Sequence, residues 1–221
     1  MASYESTPLF QGSIVCDIPA NFTNIRNISK AYPVPNHQEV FVARDGFMSI
    51  IIDILERVDE GGDDDRALET HLEDIDEKLV EQEGTRQRTE FSKLPKGIPA
   101  YTLLAKIPPE ATPLEGEASS AAAQQQQPSS ELAEMPDTMM VLTLLRLERE
   151  STDIVITVNM LNIRQTCAED DARYADQGED EDERVARQMA KRGRIIGDAA
   201  GHAGRIWETF DIKEWELFGA S

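Results

Sequence analysis

Four isoleucines and a leucine surround two carboxylates in the run Ser49-Ile50-Ile51-Ile52-Asp53-Ile54-Leu55-Glu56. A segment this apolar belongs in a core. An ionised carboxylate in a core is costly unless a partner meets it. Asp53 and Glu56 must therefore reach water, pair with a cation such as Arg57 or Arg44, or meet a cation carried by another molecule. Two periodicities fit the run. Ile50, Ile51, Ile54, Leu55 and Val58 make a helical stripe, but four isoleucines after the Asp45-Gly46 turn favour a buried strand. A strand sends residues 53 and 56 to opposite faces. One of them then has to sit at the strand's end, where twist turns it outward.

Strands also account for the neighbouring segments. Ile14 to Ile18 is β-branched and stops at Pro19, and Gln38 to Val42 is β-branched and aromatic up to Asp45-Gly46. Between them a loop is expected around Asn21, Asn24, Asn27 and Pro33. Thr85 to Phe91 and Pro99 to Ile107 are weaker strand candidates. Met139 to Glu148 and Asp153 to Met160 are the clearest strands, joined by Arg149-Glu150-Ser151-Thr152 as a hairpin. Asp63 to Leu79 reads as a helix, with Asp63, Asp64 and Asp65 at its positive end and Leu68, His71, Leu72, Ile75 and Leu79 as its apolar stripe. Val185, Met189, Ile196 and Ala199 repeat at helical spacing, and Ala203, Ile206, Trp207 and Phe210 continue the packing. Gly193, Gly197 and Gly201 share a face there, which suggests close helix-on-sheet contact or fraying. Phe210 to Gly219 reads as a docked tail. The segments at 108–136 and 168–183, one rich in Ala, Gln, Ser and Pro and the other in acids, lack the apolar surface to order themselves and are expected to be disordered insertions. The layout is α+β: an antiparallel sheet flanked by helices, in a single domain over residues 1–221.

Charge narrows the partners. The chain carries 42 acidic and 22 basic side chains, a net charge of −20. Such a chain repels nucleic-acid phosphates and anionic membranes, and its natural complement is a basic protein surface. From Asp59 to Glu83 there are twelve acidic and two basic residues, so the outer face of that helix is strongly negative. Cys16 and Cys167 form no CxxC and have no histidine cluster, which argues against zinc or a disulfide framework and for a reducing compartment. Met1-Ala2-Ser3-Tyr4-Glu5 has neither a basic start nor an apolar run, so no secretory signal is read. The apolar stretch Met139 to Leu147 is too short to span a bilayer.

Motifs for covalent chemistry are absent from the chain. His37, His71 and His202 match neither HExxH nor a zinc triad, and there is no phosphate-cradling glycine loop or nucleophile elbow. No metal, cofactor or catalytic residue is expected. Asp53 and Glu56 could form an acid/base pair in a cleft, a structural pair with Arg57 or Arg44, or a docking site for a partner's basic residues.

Five segments in order resemble the Ran guanine nucleotide release factor family, called Mog proteins in fungi. They are Leu9-Phe10-Gln11-Gly12-Ser13-Ile14 running into Asp17-Ile18-Pro19 and Phe22; Val34-Pro35-Asn36-His37-Gln38-Glu39-Val40-Phe41; Ser49 to Glu56; Leu145-Arg146-Leu147 followed by Thr152 to Asn159; and the tail from Phe210 through Leu217-Phe218-Gly219. The resemblance implies a PsbP-like α/β/α sandwich. It also implies binding to the small GTPase Ran, promotion of guanine nucleotide release, support of nuclear protein import, and a place in nucleus and cytoplasm. An acidic pair important for Ran binding in the family falls on Asp53 and Glu56, and Glu39 and Gln38 are expected to join them at the contact. The family usually has Pro-Asp-Asn-Gln where this chain has Pro35-Asn36-His37-Gln38. A monomer that contacts neither nucleic acid nor membrane is expected. The alternative is an acidic binding module for another basic protein, without nucleotide-release activity.

Overall fold

The isoleucine run is a strand, β5 (Met48–Glu56), and it lies inside a sheet rather than at its margin. The computed structural model describes residues 2–28, 33–58, 61–108, 138–161, 163 and 181–218. Among these, β3 (Phe22–Asn24), β4 (Gln38–Ala43), β5, β10 (Thr152–Met160), β9 (Met139–Leu147), β8 (Ala100–Lys106) and β6 (Val80–Glu81) pair in that spatial order, and β7 (Gln87–Arg88) pairs with β8. Every pairing is antiparallel. A second sheet joins β1 (Tyr4–Leu9), β2 (Ile14–Pro19) and β11 (Asp211–Ile212).

Alternation along the strands feeds two cores. On one face, Met140, Leu142 and Leu144 of β9, Leu103 and Ala105 of β8 and Val155 of β10 pack against Ala67, Leu68 and Leu72 of α1 (Asp64–Ile75). On the other, Ile50 and Ile52 of β5, Val141 and Leu145 of β9, and Ile154, Ile156 and Val158 of β10 pack against Ala199, Ala203 and Ile206 of α2 (Glu181–Thr209). The result is the expected α+β arrangement, a sheet between helices. β9 and β10 are buried along their whole length because both faces are covered. Each aliphatic side chain withdrawn from water there stabilises the fold by roughly 1.5–3 kcal/mol.

Local chemistry explains the element ends. Asp63 caps α1, its Oδ1 accepting from the Asp65 N–H at 3.0 Å, with Asp64 and Asp65 in the positive first turn. The helix stops at Ile75, short of the expected Leu79. Asp76 is extended, its Oδ1 accepts from the Lys78 N–H, and its carbonyl accepts from the Leu79 N–H, so a local turn replaces the next helical bonds. Leu79 is buried from outside the helix and Ile75 is exposed. The hairpin between β9 and β10 turns through Glu148–Glu150 and a left-handed Ser151.

Other expectations needed correction. The loop after Pro19 contains β3, and the Thr85 to Phe91 candidate shrinks to the two residues of β7. Gly193, Gly197 and Gly201 are exposed, and a methyl group on any of them would meet nothing, so they mediate no close helix-on-sheet contact. The proposed insertions lie largely outside the described residues, but residues 181–183 open α2. The tail is docked: β11 pairs with β2, and Phe210 and Phe218 are buried. Among the described residues no helix is long and apolar enough to cross a membrane.

Candidate functional site

The open end of β5 carries the two carboxylates. Its burial pattern relaxes from buried Ile52 to half-buried Asp53, Ile54 and Leu55 and exposed Glu56. Asp53 stands opposite Gln38 of β4 and Val155 of β10, on the face that carries α1. Three residues further on, Glu56 has the opposite parity and is the last residue of the strand, opposite Thr152. The sheet therefore does not put both carboxylates in one cleft. That removes the paired acid/base arrangement, which needs the two groups to converge on one bond.

Asp53 has few partners. Gln38 Nε2 donates to its Oδ1 at 2.8 Å. Partial burial pushes its carboxyl above the usual carboxylate range, while the Gln38 hydrogen bond and the nearby His37 pull the other way. Among the described residues no lysine or arginine pairs with Asp53 or Glu56. Arg57 turns to Glu148 at 3.5 Å. The approach to Asp53 is framed by the Pro35 to Gln38 loop, whose His37 carbonyl accepts from the Ile54 N–H at 2.8 Å.

Gln38 is brought to the site, and Glu39 is not. Glu39 points to the other face, 8% exposed. Its Oε1 accepts from the Phe10 N–H at 3.0 Å, its Oε2 accepts from Asn24 Nδ2 at 2.8 Å, and Arg26 Nε lies 3.8 Å away. Arg26 also donates to the carbonyls of Pro35 and Gln38. Glu39 is thus a brace for the loop that frames Asp53, because period-2 alternation turns it inward when Gln38 faces Asp53.

A buried ionic network lies beside this site. Asp153 is fully buried and Arg146 is 1% exposed. Arg146 Nε donates to Asp153 Oδ1 at 3.1 Å, and His71 Nε2 lies 2.9 Å from Asp153 Oδ2. Arg146 reaches Asp64 Oδ1 at 2.7 Å, and Tyr101 donates to Asp64 Oδ2 at 2.7 Å. Val58 is held twice: its N–H donates to Asp153 Oδ2 at 3.0 Å and its carbonyl accepts from Arg146. Burial alone would raise the Asp153 carboxyl. The hydrogen bonds from His71 and the Val58 N–H, together with the Arg146 guanidinium, outweigh it and hold the group below the usual range. The network therefore fixes the chain two residues after Glu56. The sequence signal for it was available: an arginine and an aspartate directly opposite each other in two paired strands that carry no other charge.

Nothing else among the described residues assembles catalytic or metal chemistry. No group of three or more described His, Cys, Asp or Glu residues could hold a metal ion. His202 accepts or donates to the Tyr4 hydroxyl at 2.9 Å, inside the packing around Phe22. Cys16 is buried and its thiol is pushed up to about 12, so it supplies no thiolate. A cleft of about 580 Å³ lies between the Pro95 to Pro99 loop, the β9–β10 turn and Trp215, with Lys96, Glu148, Arg149 and Glu150 among its lining residues.

A family model described as Ran-interacting Mog1 protein matches residues 7–161. The 1.9 Å crystal structure of the Saccharomyces cerevisiae Ran-binding protein Mog1p aligns at 20% identity and a TM-score of 0.57, over 99% of this chain and 100% of that one. A glutamate-to-alanine mutant of protein Mog1 aligns at 18% identity and a TM-score of 0.54, over 98% of this chain and 100% of that one. The solution structure of cyanobacterial PsbP from Synechocystis sp. PCC 6803 aligns at 11% identity and a TM-score of 0.41, over 77% of this chain and 87% of that one. A search of curated protein sequences gave no match.

Proposed function

The chain belongs to the family of Ran-interacting Mog1 proteins, and from that premise we propose that it binds the small GTPase Ran at the end of β5, promotes release of Ran's guanine nucleotide and so supports nuclear protein import. The observation that carries the site is Asp53. Its carboxyl is half-buried and its pKa raised by that burial, it has an amide and, among the described residues, no cation for a partner, and it sits at the strand end beside exposed Glu56. A lysine or arginine from a partner would satisfy it. Gln38 would share the contact, while Glu39 supports it from behind. Glu56 has opposite parity, so the partner has to wrap the corner of the sheet to touch both carboxylates.

Such a factor performs no covalent step. It drives release only if it binds nucleotide-free Ran more tightly than nucleotide-loaded Ran, because a ligand shifts an equilibrium by its differential affinity alone. Basic residues that otherwise support Ran's nucleotide are the fitting counterparts for Asp53 and Glu56. The protein works as a monomer in nucleus and cytoplasm, without nucleic acid or membrane.

The test is stopped-flow release of a fluorescent guanine nucleotide from Ran, with the unaltered protein and with Asp53→Lys, Glu56→Lys combined. The double variant is expected to slow factor-stimulated release by about tenfold or more, since like charges placed at an interface cost several kcal/mol. Equal rates would refute the assigned site.

A further inference from the structure

The sheet face that carries Asp53 is covered unevenly. α1 packs over β8, β9 and β10, through Ala67, Leu68 and Leu72. Toward β4 the covering thins. Val155, Thr157 and Asn159 of β10 are buried, whereas Ile51, Asp53 and Leu55 of β5 and Gln38, Val40 and Val42 of β4 are only half-buried. Val40, Val42 and Ile51 join neither hydrophobic core. Their positions follow from the register. Val40 is directly opposite Ile51, and the next same-face pair along the ladder is Gln38 with Asp53. Two residues of rise separate the pairs, about 7 Å. A β-branched apolar pair thus stands beside a carboxylate that no cation among the described residues meets.

We propose that this half-covered face of β4 and β5 is the anchor of the Ran contact, and that its occupant is a segment of Ran presenting apolar side chains around a central lysine or arginine. The proposal rests on the Ran-binding reading and deepens it. Charge complementarity selects the occupant. An apolar side chain fits Val40 and Ile51, and a cation is the strongest counterpart for Asp53 at their edge. An apolar helix or strand without that cation would bury the carboxylate with only the Gln38 amide to offset its charge, at a large cost. The arrangement matches the general anatomy of interfaces, an apolar centre with charge toward its rim. It also divides the work. Rim charges mainly set association rate and salt dependence, while apolar packing sets residence time. A factor that must outcompete a nucleotide needs the second as well as the first.

The experiment measures binding kinetics of nucleotide-free Ran to the immobilised full chain, as unaltered protein, Asp53→Asn, and Val40→Thr with Ile51→Thr. Threonine keeps the branched shape suited to a strand. The threonine variant is expected to dissociate about tenfold faster, with an unchanged association rate and salt slope, a loss typical of a hot-spot pair. Asp53→Asn is expected to slow association and flatten the salt dependence. In the unaltered protein, methyl resonances of Val40, Val42 and Ile51 are expected to shift when Ran is added, a readout independent of how the variants fold. Binding with unchanged dissociation of the threonine variant and unmoved methyls overturns the anchor while leaving the Ran reading standing. Failure of the unaltered protein to bind Ran overturns both. Self-association of the unaltered protein, lost on Val40→Thr with Ile51→Thr, assigns the face to a second copy and overturns the proposal.

Discussion

Gln38 Nε2 donates to Asp53 Oδ1 across the β4–β5 ladder at 2.8 Å, and among the described residues no cation shares that carboxylate. A single amide is a weak counterweight to partial burial, which is why the Asp53 carboxyl stays above its ordinary range. For an acid with a raised pKa in the folded state, the ionised form is disfavoured by folding. Stability falls as pH rises from the unfolded value through the folded one, and the cost is fully present above both. At neutral pH, Asp53→Asn is therefore expected to leave the melting temperature unchanged or higher, while Ran binding weakens by about tenfold. Calorimetry beside a binding titration checks both halves. Ran binding of the unaltered protein is expected to weaken as pH falls through the raised value.

Asp153 gives the opposite sign. Its carboxyl is held low in the fold, so its contribution is present above the unfolded carboxylate value of about 3.9 and is lost as pH falls through the folded one. Asp153→Asn should flatten that acid limb in urea titrations taken at stepped pH. Arg146→Met leaves Asp153 buried beside His71 without its guanidinium and should cost about 3–5 kcal/mol at neutral pH, measured by urea unfolding.

Glu39 separates a brace from a contact. Glu39→Gln weakens the acceptors for the Phe10 N–H and Asn24 and is expected to lower stability by about 1–3 kcal/mol. Association and dissociation rates with Ran should stay within about twofold, since the side chain faces away from Asp53 and a rim-type effect on rate has no route. A change in the salt dependence of association would return Glu39 to the interface.

The cap of α1 is testable alone. Asp63→Ala removes the acceptor for the Asp65 and Arg66 N–H groups and should cost about 1 kcal/mol, read as a lower urea midpoint with an unchanged slope.

Much of the sheet was legible because β5, β9 and β10 carry long β-branched or leucine runs that favour a covered strand. β1 and β3 were not, since Tyr4–Leu9 carries Glu5, Ser6, Thr7 and Pro8, and Phe22–Asn24 has only three residues among asparagines. Neither has enough apolar periodicity to stand above a loop. At the site, the exposure of Glu56 followed from parity once the strand was chosen. The inward turn of Glu39 depended on the register that puts Gln38 opposite Asp53, a non-local pairing that no spacing within one segment reveals. The half-burial of Val40 and Ile51 depended on where α1 lies, and that in turn on packing across the whole sheet.

Val58 is gripped through both its N–H and its carbonyl. The strand tip bearing Asp53 and Glu56 thus leads into an anchored stretch, so it arrives at an encounter already shaped, with little ordering entropy left to lose. A stiff template of this kind deforms what docks on it. In the exchange proposed here, the structural change that lets the nucleotide go falls to the GTPase.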